Sequence, residues 1–271
     1  LIKKNIYKMN LGLNNKIAVV TGASKGMGKS IAQSLASEGV KVLLVARNLD
    51  LLKPEVHSLL KLGYSAAYLQ GDVSDLDLPN LVLEFIKKEW NSSPDILINN
   101  AGGPPPGSIL NHSDQIWDAA IQLNLMSVIR FTRAMLPYMK EKKWGRIVSI
   151  TSTVAKEPSP TMVLSATLRA GVSAFTKAVS SEYAADNVTL NVICPGGVLT
   201  DRLSSLLKQN AETTNRNYDE VLSESQNMIP AKRFANPDEI ANIVTFLCSE
   251  AGSYITGTSI MVDGGLTKSY F

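Results

Sequence analysis

Thr21-Gly22-Ala23-Ser24-Lys25-Gly26-Met27-Gly28 lies between an apolar run of strand length, 17–21, and a run with helical spacing, 29–37. No other stretch restricts the possible folds of this chain as much. Gly22 lets the backbone turn sharply off a strand, Gly26 lets it come close to a pyrophosphate, and Gly28 lets the next helix pack tightly on a sheet. The helix N-terminus behind such a turn offers unpaired backbone N–H groups at the positive end of the helix dipole. Phosphate oxygens find donors there without a charged side chain. Taken alone, the glycines also fit a tight strand-to-helix turn that binds nothing, so the rest of the chain has to decide.

The strand-then-helix alternation begun there continues. Val42, Leu43, Leu44 and Val45 follow Gly39 as an unbroken apolar run, the pattern of a strand buried on both faces. Helical spacing over 50–62 stops at Gly63, and a third strand, 66–70, closes on Gly71-Asp72-Val73. A helix over 78–90 leads to a fourth strand, 95–99, which ends in Asn99-Asn100-Ala101-Gly102. Ser113 is placed to cap a long helix reaching about residue 139, followed by a strand at 145–150, a helix over 164–185 and a strand at 189–194. Pro195-Gly196-Gly197 breaks that strand, and the polar, irregular segment at about 198–235 reads as a partly helical lid. Asn236-Pro237-Asp238-Glu239 is a capping-box start for the last helix, and 259–263 is a seventh strand.

Alternating strands and helices with right-handed crossovers give a parallel sheet covered on both faces. No composition break or repeat divides the 271 residues, so one doubly wound α/β domain spanning 12–271 is expected. Residues 1–11 read as a flexible N-terminal extension, and Met9 is an alternative start. The net charge of +3 is small and the basic residues are dispersed, which argues against a nucleic-acid or membrane partner and for small soluble ones. Cys194 and Cys248 each lie in an apolar run, and His57 and His112 have no ligand spacing; reduced thiols, no metal and a cytoplasmic location follow.

With these motifs in order, residues 12–265 resemble the short-chain dehydrogenase/reductase family, in particular its 3-oxoacyl-carrier-protein reductase-like branch. The glycine turn is similar to that family's TGxxxGxG, Asn99-Asn100-Ala101-Gly102 to its NNAG, and Pro195-Gly196-Gly197-Val198-Leu199-Thr200 to its PGxxxT. The resemblance implies a Rossmann-like fold with a seven-stranded parallel sheet, and a homodimer or homotetramer. It also implies cofactor contacts from Gly22, Ser24, Lys25, Gly26, Met27, Gly28, Arg47, Asp72, Val73, Asn100, Ala101, Gly102, Arg169, Pro195, Gly196, Val198 and Thr200.

Cofactor choice turns on the end of the second strand, where an acidic residue would bond the ribose 2′-hydroxyl and repel a 2′-phosphate. Arg47 occupies that end, and Lys25 adds a second cation. Together they favour NADP(H) over NAD(H), although both residues also fit ordinary solvated surface charges.

The family's catalytic set is an Asn, a Ser, and a Tyr and Lys spaced as YxxxK. Asn124 and Ser152 match the first two, while Ser165 and Arg169 stand where Tyr and Lys are expected. An aliphatic hydroxyl is a far weaker acid than a phenol, and a guanidinium does not pass protons. Ser152, Ser165 and Arg169 are therefore expected to stabilise a substrate oxyanion while water delivers the proton, with Asn124 holding a water. Tyr183 reads as packing, and His112 as a minor candidate acid. Apolar lid positions Leu203, Leu206, Leu207, Met228 and Ile229 suggest an acyl or polyketide-like substrate, free or carrier-bound, though a lid packing on its own domain would look the same. Two alternatives stay open: a non-redox catalyst of elimination, cyclisation or isomerisation, and a catalytically inactive NADP(H)-binding sensor or partner protein.

Overall fold

A computed structural model describes residues 11–269. The first ten residues lie outside that range, and with them most of the expected extension and the Met9 start. Leu11, assigned to the extension, is held instead: its carbonyl accepts from Glu250 N at 2.9 Å.

Seven strands, β1 (Ile17–Thr21), β2 (Lys41–Ala46), β3 (Ala66–Gln70), β4 (Ile96–Asn99), β5 (Gly145–Ile150), β6 (Val188–Pro195) and β7 (Ser259–Val262), form one sheet in the order β3-β2-β1-β4-β5-β6-β7. Every pairing is parallel. Because side chains alternate across a strand, the apolar runs split cleanly between two cores. Ala18, Val20, Val42, Leu44, Ile98 and Val148 face one layer with Ile31 and Leu35 of α1 (Gly26–Ser37), Leu52 and Val56 of α2 (Leu49–Lys61) and Val244 of α9 (Pro237–Cys248). Val19, Leu43, Val45, Leu97 and Ile147 face the other, with Val82 and Ile86 of α3 (Leu78–Trp90) and Phe131, Met135 and Met139 of α5 (Ser127–Glu141). Strand order reverses where β1 meets both β2 and β4, and in an open α/β sheet the crevice beyond the strand ends at that point receives ligands.

Three features of the elements bear on the site, two of them departures from the sequence reading. The first helix begins at Gly26 rather than Lys29, so two of the glycines belong to its first turn. The long helix after Ser113 is interrupted: α4 (Asp114–Ile121) and α5 are joined by a π turn at Gln122–Met126. Ser113 holds the N-cap position, but its side chain makes no capping bond. The segment at 198–235 contains two helices, α7 (Asp201–Thr214) and α8 (Tyr218–Asn227), and a bridge between Val198 and Ala235 joins its two ends. It has its own small core of Leu207, Ala211, Val221, Ile229 and Phe234, with Leu203 packed against it. Much of the apolar character that suggested a greasy substrate is thus spent inside the lid. Met228, at 71% exposure, and Leu206 are not part of that core.

Candidate active site

The ends of β1 and β4 are tied together before any ligand is considered. Thr21 Oγ1 and the Asn100 backbone lie 2.9 Å apart in both directions of exchange, and Asn100 Nδ2 donates to the carbonyls of Thr21 and Gly22, each at 3.2 Å. Gly22 has a positive φ of 58°, and a methyl group on it would stand 2.5 Å from the Asn100 carbonyl oxygen. A methyl on Gly28 would stand 2.4 Å from the Gly22 oxygen. Only glycine fits at either place, which leaves bare backbone in front of α1. That helix has neither a side-chain cap nor an acidic residue in its first turn, so its leading N–H groups suit the pyrophosphate of a dinucleotide. Asn100, expected to touch cofactor, has its side-chain amide engaged in shaping the turn.

Lys25 and Arg47, expected to embrace one phosphate, are each paired with a different carboxylate. Lys25 Nζ lies 3.1 Å from Asp201 Oδ2 on the lid, and Arg47 lies 3.6 Å from Asp72 Oδ2. Burial by itself would raise the Asp72 carboxyl, but hydrogen bonds from Ser74 and the Arg47 charge hold it below the ordinary range. Val73 is buried beside it. At the far side of the crevice Gly196 N donates to the Val262 carbonyl at 3.0 Å, and Pro195 closes β6. Thr200 caps α7 by accepting from Leu203 N at 3.3 Å, and its methyl group faces Gly26.

A small cavity of about 20 Å³ lies where β4 and β5 end. Thr21, Val73, Asn100, Ala101, Asn124, Thr151 and Arg169 are among the residues lining it. The π turn brings Asn124 there, 7% exposed, with Nδ2 donating to the Gly102 carbonyl at 2.8 Å and Oδ1 buried without a partner. A polar space of that size suits one water. Arg169 comes from α6 (Val163–Tyr183). Its Nε donates to Ser165 Oγ at 3.0 Å and its NH1 to the Ile150 carbonyl at 3.2 Å. The residue is half-buried but the guanidinium is enclosed; burial is the main cause that brings it down to about 10, with the Cys194 thiol opposing and the Arg202 cation adding to the shift. It remains a cation at neutral pH.

The two serines differ. Ser152 follows β5 and caps a short 3₁₀ turn, Thr153–Ala155, accepting from Val154 N at 3.4 Å, so its O–H is free to donate outward. Ser165 is 3% exposed, with its oxygen taken by Arg169. Ser152, Ser165 and Arg169 were expected to act side by side; in the structure the Ser165 hydroxyl oxygen is turned to Arg169 Nε.

Sequence reasoning did not single out Arg202 of α7. Its NH2 donates to the Pro104 carbonyl at 2.8 Å, fastening the lid to the Gly103-Pro104-Pro105-Pro106-Gly107 loop. That loop is also pinned to the approach to α6, through Gly107 N and the Thr161 carbonyl at 2.7 Å. Tyr183 packs against the second core, beneath Lys140. Burial raises the thiols of Cys194 and Cys248, the latter to about 12. Among the described residues no helix is long and apolar enough to cross a membrane.

Residues 22–267 match the family described as enoyl-(acyl carrier protein) reductase. The 3-oxoacyl-[acyl-carrier-protein] reductase FabG of Aquifex aeolicus is 33% identical over 259 residues, covering 95% of this chain and 100% of that protein. Among solved structures, the L-sorbose reductase of Gluconobacter frateurii, complexed with NADPH and L-sorbose, superposes with a TM-score of 0.91 at 32% identity, over 96% of this chain and 100% of that one. YwfH, an NADPH-dependent reductase involved in bacilysin biosynthesis, gives 0.90 at 30%, over 94% and 100%. Glycine turn, strand order and crevice agree with this likeness along the chain, which belongs to the short-chain dehydrogenase/reductase family of oxidoreductases.

Proposed function

We propose that this chain is an NADP(H)-dependent oxidoreductase acting on a carbonyl or hydroxyl of a moderately apolar, acyl or polyketide-like substrate, with a proton relay that uses neither a phenol nor a lysine. The observation that carries the reading is the pairing, around one small cavity, of the unpartnered Asn124 Oδ1 with the Arg169 cation. NADPH-dependent and NADPH-complexed structural neighbours support the choice of cofactor. When bound, the nicotinamide supplies or takes the hydride.

The chain's own residues do the rest. Ser152 O–H donates to the substrate oxygen, and the fixed positive charge of Arg169 stabilises the negative charge that develops there. Asn124 Oδ1 accepts from a cavity water, which hands a proton to the oxyanion and is refilled from solvent. Ser165 holds the Arg169 fork in place. Arg47 and Lys25 exchange their carboxylate partners for the 2′-phosphate, and a homodimer or homotetramer is the assembly the family resemblance favours.

Fluorescence titration with NADPH and NADH, followed by absorbance of the reduced cofactor with a panel of ketones and acyl thioesters, tests this. Tight NADPH binding with substrate-dependent oxidation is expected. Binding without oxidation across the panel would transfer the assignment to a non-redox catalyst or a nucleotide sensor, and failure to bind either cofactor would overturn it.

A further inference from the structure

Two arginines from different parts of the chain meet over Gly103. A methyl group built on that glycine would lie 3.4 Å from Arg169 NH2, 3.7 Å from Arg202 NH2 and 4.0 Å from Arg202 Nε. Both forks therefore reach within 4.0 Å of one point on bare backbone, with no side chain of Gly103 between them. Their other contacts are neutral: Arg169 bonds Ser165 Oγ and the Ile150 carbonyl, and Arg202 bonds the Pro104 carbonyl. Among the described residues neither is ion-paired with a carboxylate. The acidic neighbour of Arg202, Asp201, is turned to Lys25. Charge repulsion between the two guanidiniums is one of the causes that lower Arg169.

Two cations brought together with only neutral partners are stabilised by an anion placed between them, and a guanidinium presents paired N–H donors that match a carboxylate edge to edge. We propose that Arg169 and Arg202 form a carboxylate clamp, and that the substrate is an acid whose carboxylate sits beside the reacting carbonyl, as in a 2-oxo acid. The inference rests on the oxidoreductase reading and deepens it by naming the substrate class. Arg169 lines the reaction cavity, so the clamped group has to lie close to the reacting carbon. A carboxylate on the adjacent carbon meets that requirement with the smallest spacing. Arg202 belongs to the lid, so the anion also bridges lid and body.

The test compares a panel of 2-oxo acids of increasing chain length with their methyl esters, and with inorganic phosphate, for binding to the NADPH-loaded protein by ligand-observed NMR. The acids are expected to bind at least about tenfold more tightly than their esters, since charge-assisted hydrogen bonds to a carboxylate are roughly twice as strong as those to a neutral ester oxygen. Arg202→Gln should remove most of the acid-over-ester difference, leaving the part that Arg169 supplies, and Arg202→Lys should restore part of the loss. NADPH affinity, measured alongside, is expected to stay unchanged in both variants, which shows that they are folded. Equal binding of acid and ester across the panel, preference for phosphate over every acid, or an Arg202→Gln protein whose preference for acids is undiminished would each overturn the clamp. Absorbance of NADPH in the same samples separates the two readings: acids that bind through Arg202 without oxidising NADPH sustain the clamp and sink the reductase.

Discussion

Arg169 Nε donates to Ser165 Oγ at 3.0 Å, one turn back on α6, while its NH1 is held by the Ile150 carbonyl at the end of β5. Helical spacing of four puts both side chains on one face, and the bond fixes the guanidinium in the one pose that reaches the cavity. Ser165→Ala, which removes the acceptor and leaves the cation, is expected to lower kcat by about three- to tenfold with little change in NADPH affinity. Arg169→Ala, which removes the charge, is expected to cost at least about a hundredfold in kcat/KM, the scale of losing one preorganised oxyanion donor. Steady-state kinetics of both variants check this; equal losses would mean that Ser165 does more than hold Arg169.

Burial brings the Arg169 guanidinium to about 10. For a cation, a lowered value means that the positive form is intact at neutral pH and is lost as pH rises through about 10, instead of well above 12. The profile of kcat/KM, which reports groups of the free enzyme, should therefore be level through the neutral range and fall on its alkaline side near pH 10. Arg169→Lys should keep an alkaline limb at a different position, and Arg169→Gln should have none. A wild-type profile still level beyond pH 11 would show that the cation is not the titrating group.

Asn124 owes its place to a π turn in which Nδ2 holds the Gly102 carbonyl at 2.8 Å and Oδ1 has no partner. Asn124→Ala removes both functions. Gly102 is exposed and its carbonyl can turn to solvent, so the stability cost should stay near 1 kcal/mol. Turnover should fall by roughly a hundredfold because a proton-transfer partner is lost. Thermal melts beside kcat measurements distinguish the two, and a large loss of stability with unchanged kcat would make Asn124 purely structural.

The sheet and the glycine turn were legible because their causes are local. Apolar runs mark strands buried on both faces, and a glycine is required wherever a side chain would strike backbone, as at Gly22 and Gly28. Asn236-Pro237-Asp238-Glu239 likewise forms the capping box it spells, with Asn236 N donating to Glu239 Oε2 at 2.9 Å. What the sequence hid is tertiary. A π turn shifts hydrogen bonds by one residue without altering composition, so 114–139 reads as plain helix although Asn124 depends on the irregularity. Arg202 looks like any surface cation until the lid folds it over Gly103. Leu207 and Ile229 look like substrate contacts until they are found in the lid's own core. Arg146, 0% exposed and stacked 4.4 Å from the Trp144 ring, spends NH1 on the carbonyls of Gly145 and Asn187, partners that no spacing could announce.

Glu239 provides a pH test of the fold that is independent of the site. The Arg233 fork, then the Asn236 amide, hold its carboxyl down to about 2 from an ordinary 4.5. A lowered carboxyl pKa means stability that is fully present above about 4.5 and is lost as pH falls toward 2, because the unfolded chain takes up the proton first. Tm should decline over that window, and Glu239→Gln should decline less steeply while starting lower at neutral pH. Because the pair is on the surface, added salt should shrink the difference. Parallel curves for the two proteins would show that the Arg233 pairing contributes nothing.

Lys25 Nζ and Asp201 Oδ2, 3.1 Å apart, join the glycine turn to the first turn of the lid helix α7. Both side chains are well exposed, 60% and 74%, so the pair contributes roughly 0–1 kcal/mol to the fold. Its effect falls instead on the cofactor. If Lys25 must leave Asp201 to meet a 2′-phosphate, removing the carboxylate releases the cation in advance. Asp201→Asn should therefore tighten NADPH about two- to fivefold and leave NADH unchanged. Lys25→Ala should weaken NADPH by at least about tenfold, again sparing NADH, since only the phosphorylated cofactor has the charge to lose. Arg47→Asp should go further and invert the preference, placing at the end of β2 the acidic residue that bonds a ribose hydroxyl. Fluorescence titrations of the three variants with both cofactors check the set. Equal loss of NADPH and NADH in Lys25→Ala would assign Lys25 to the shared pyrophosphate, and the 2′-phosphate would then be left to Arg47.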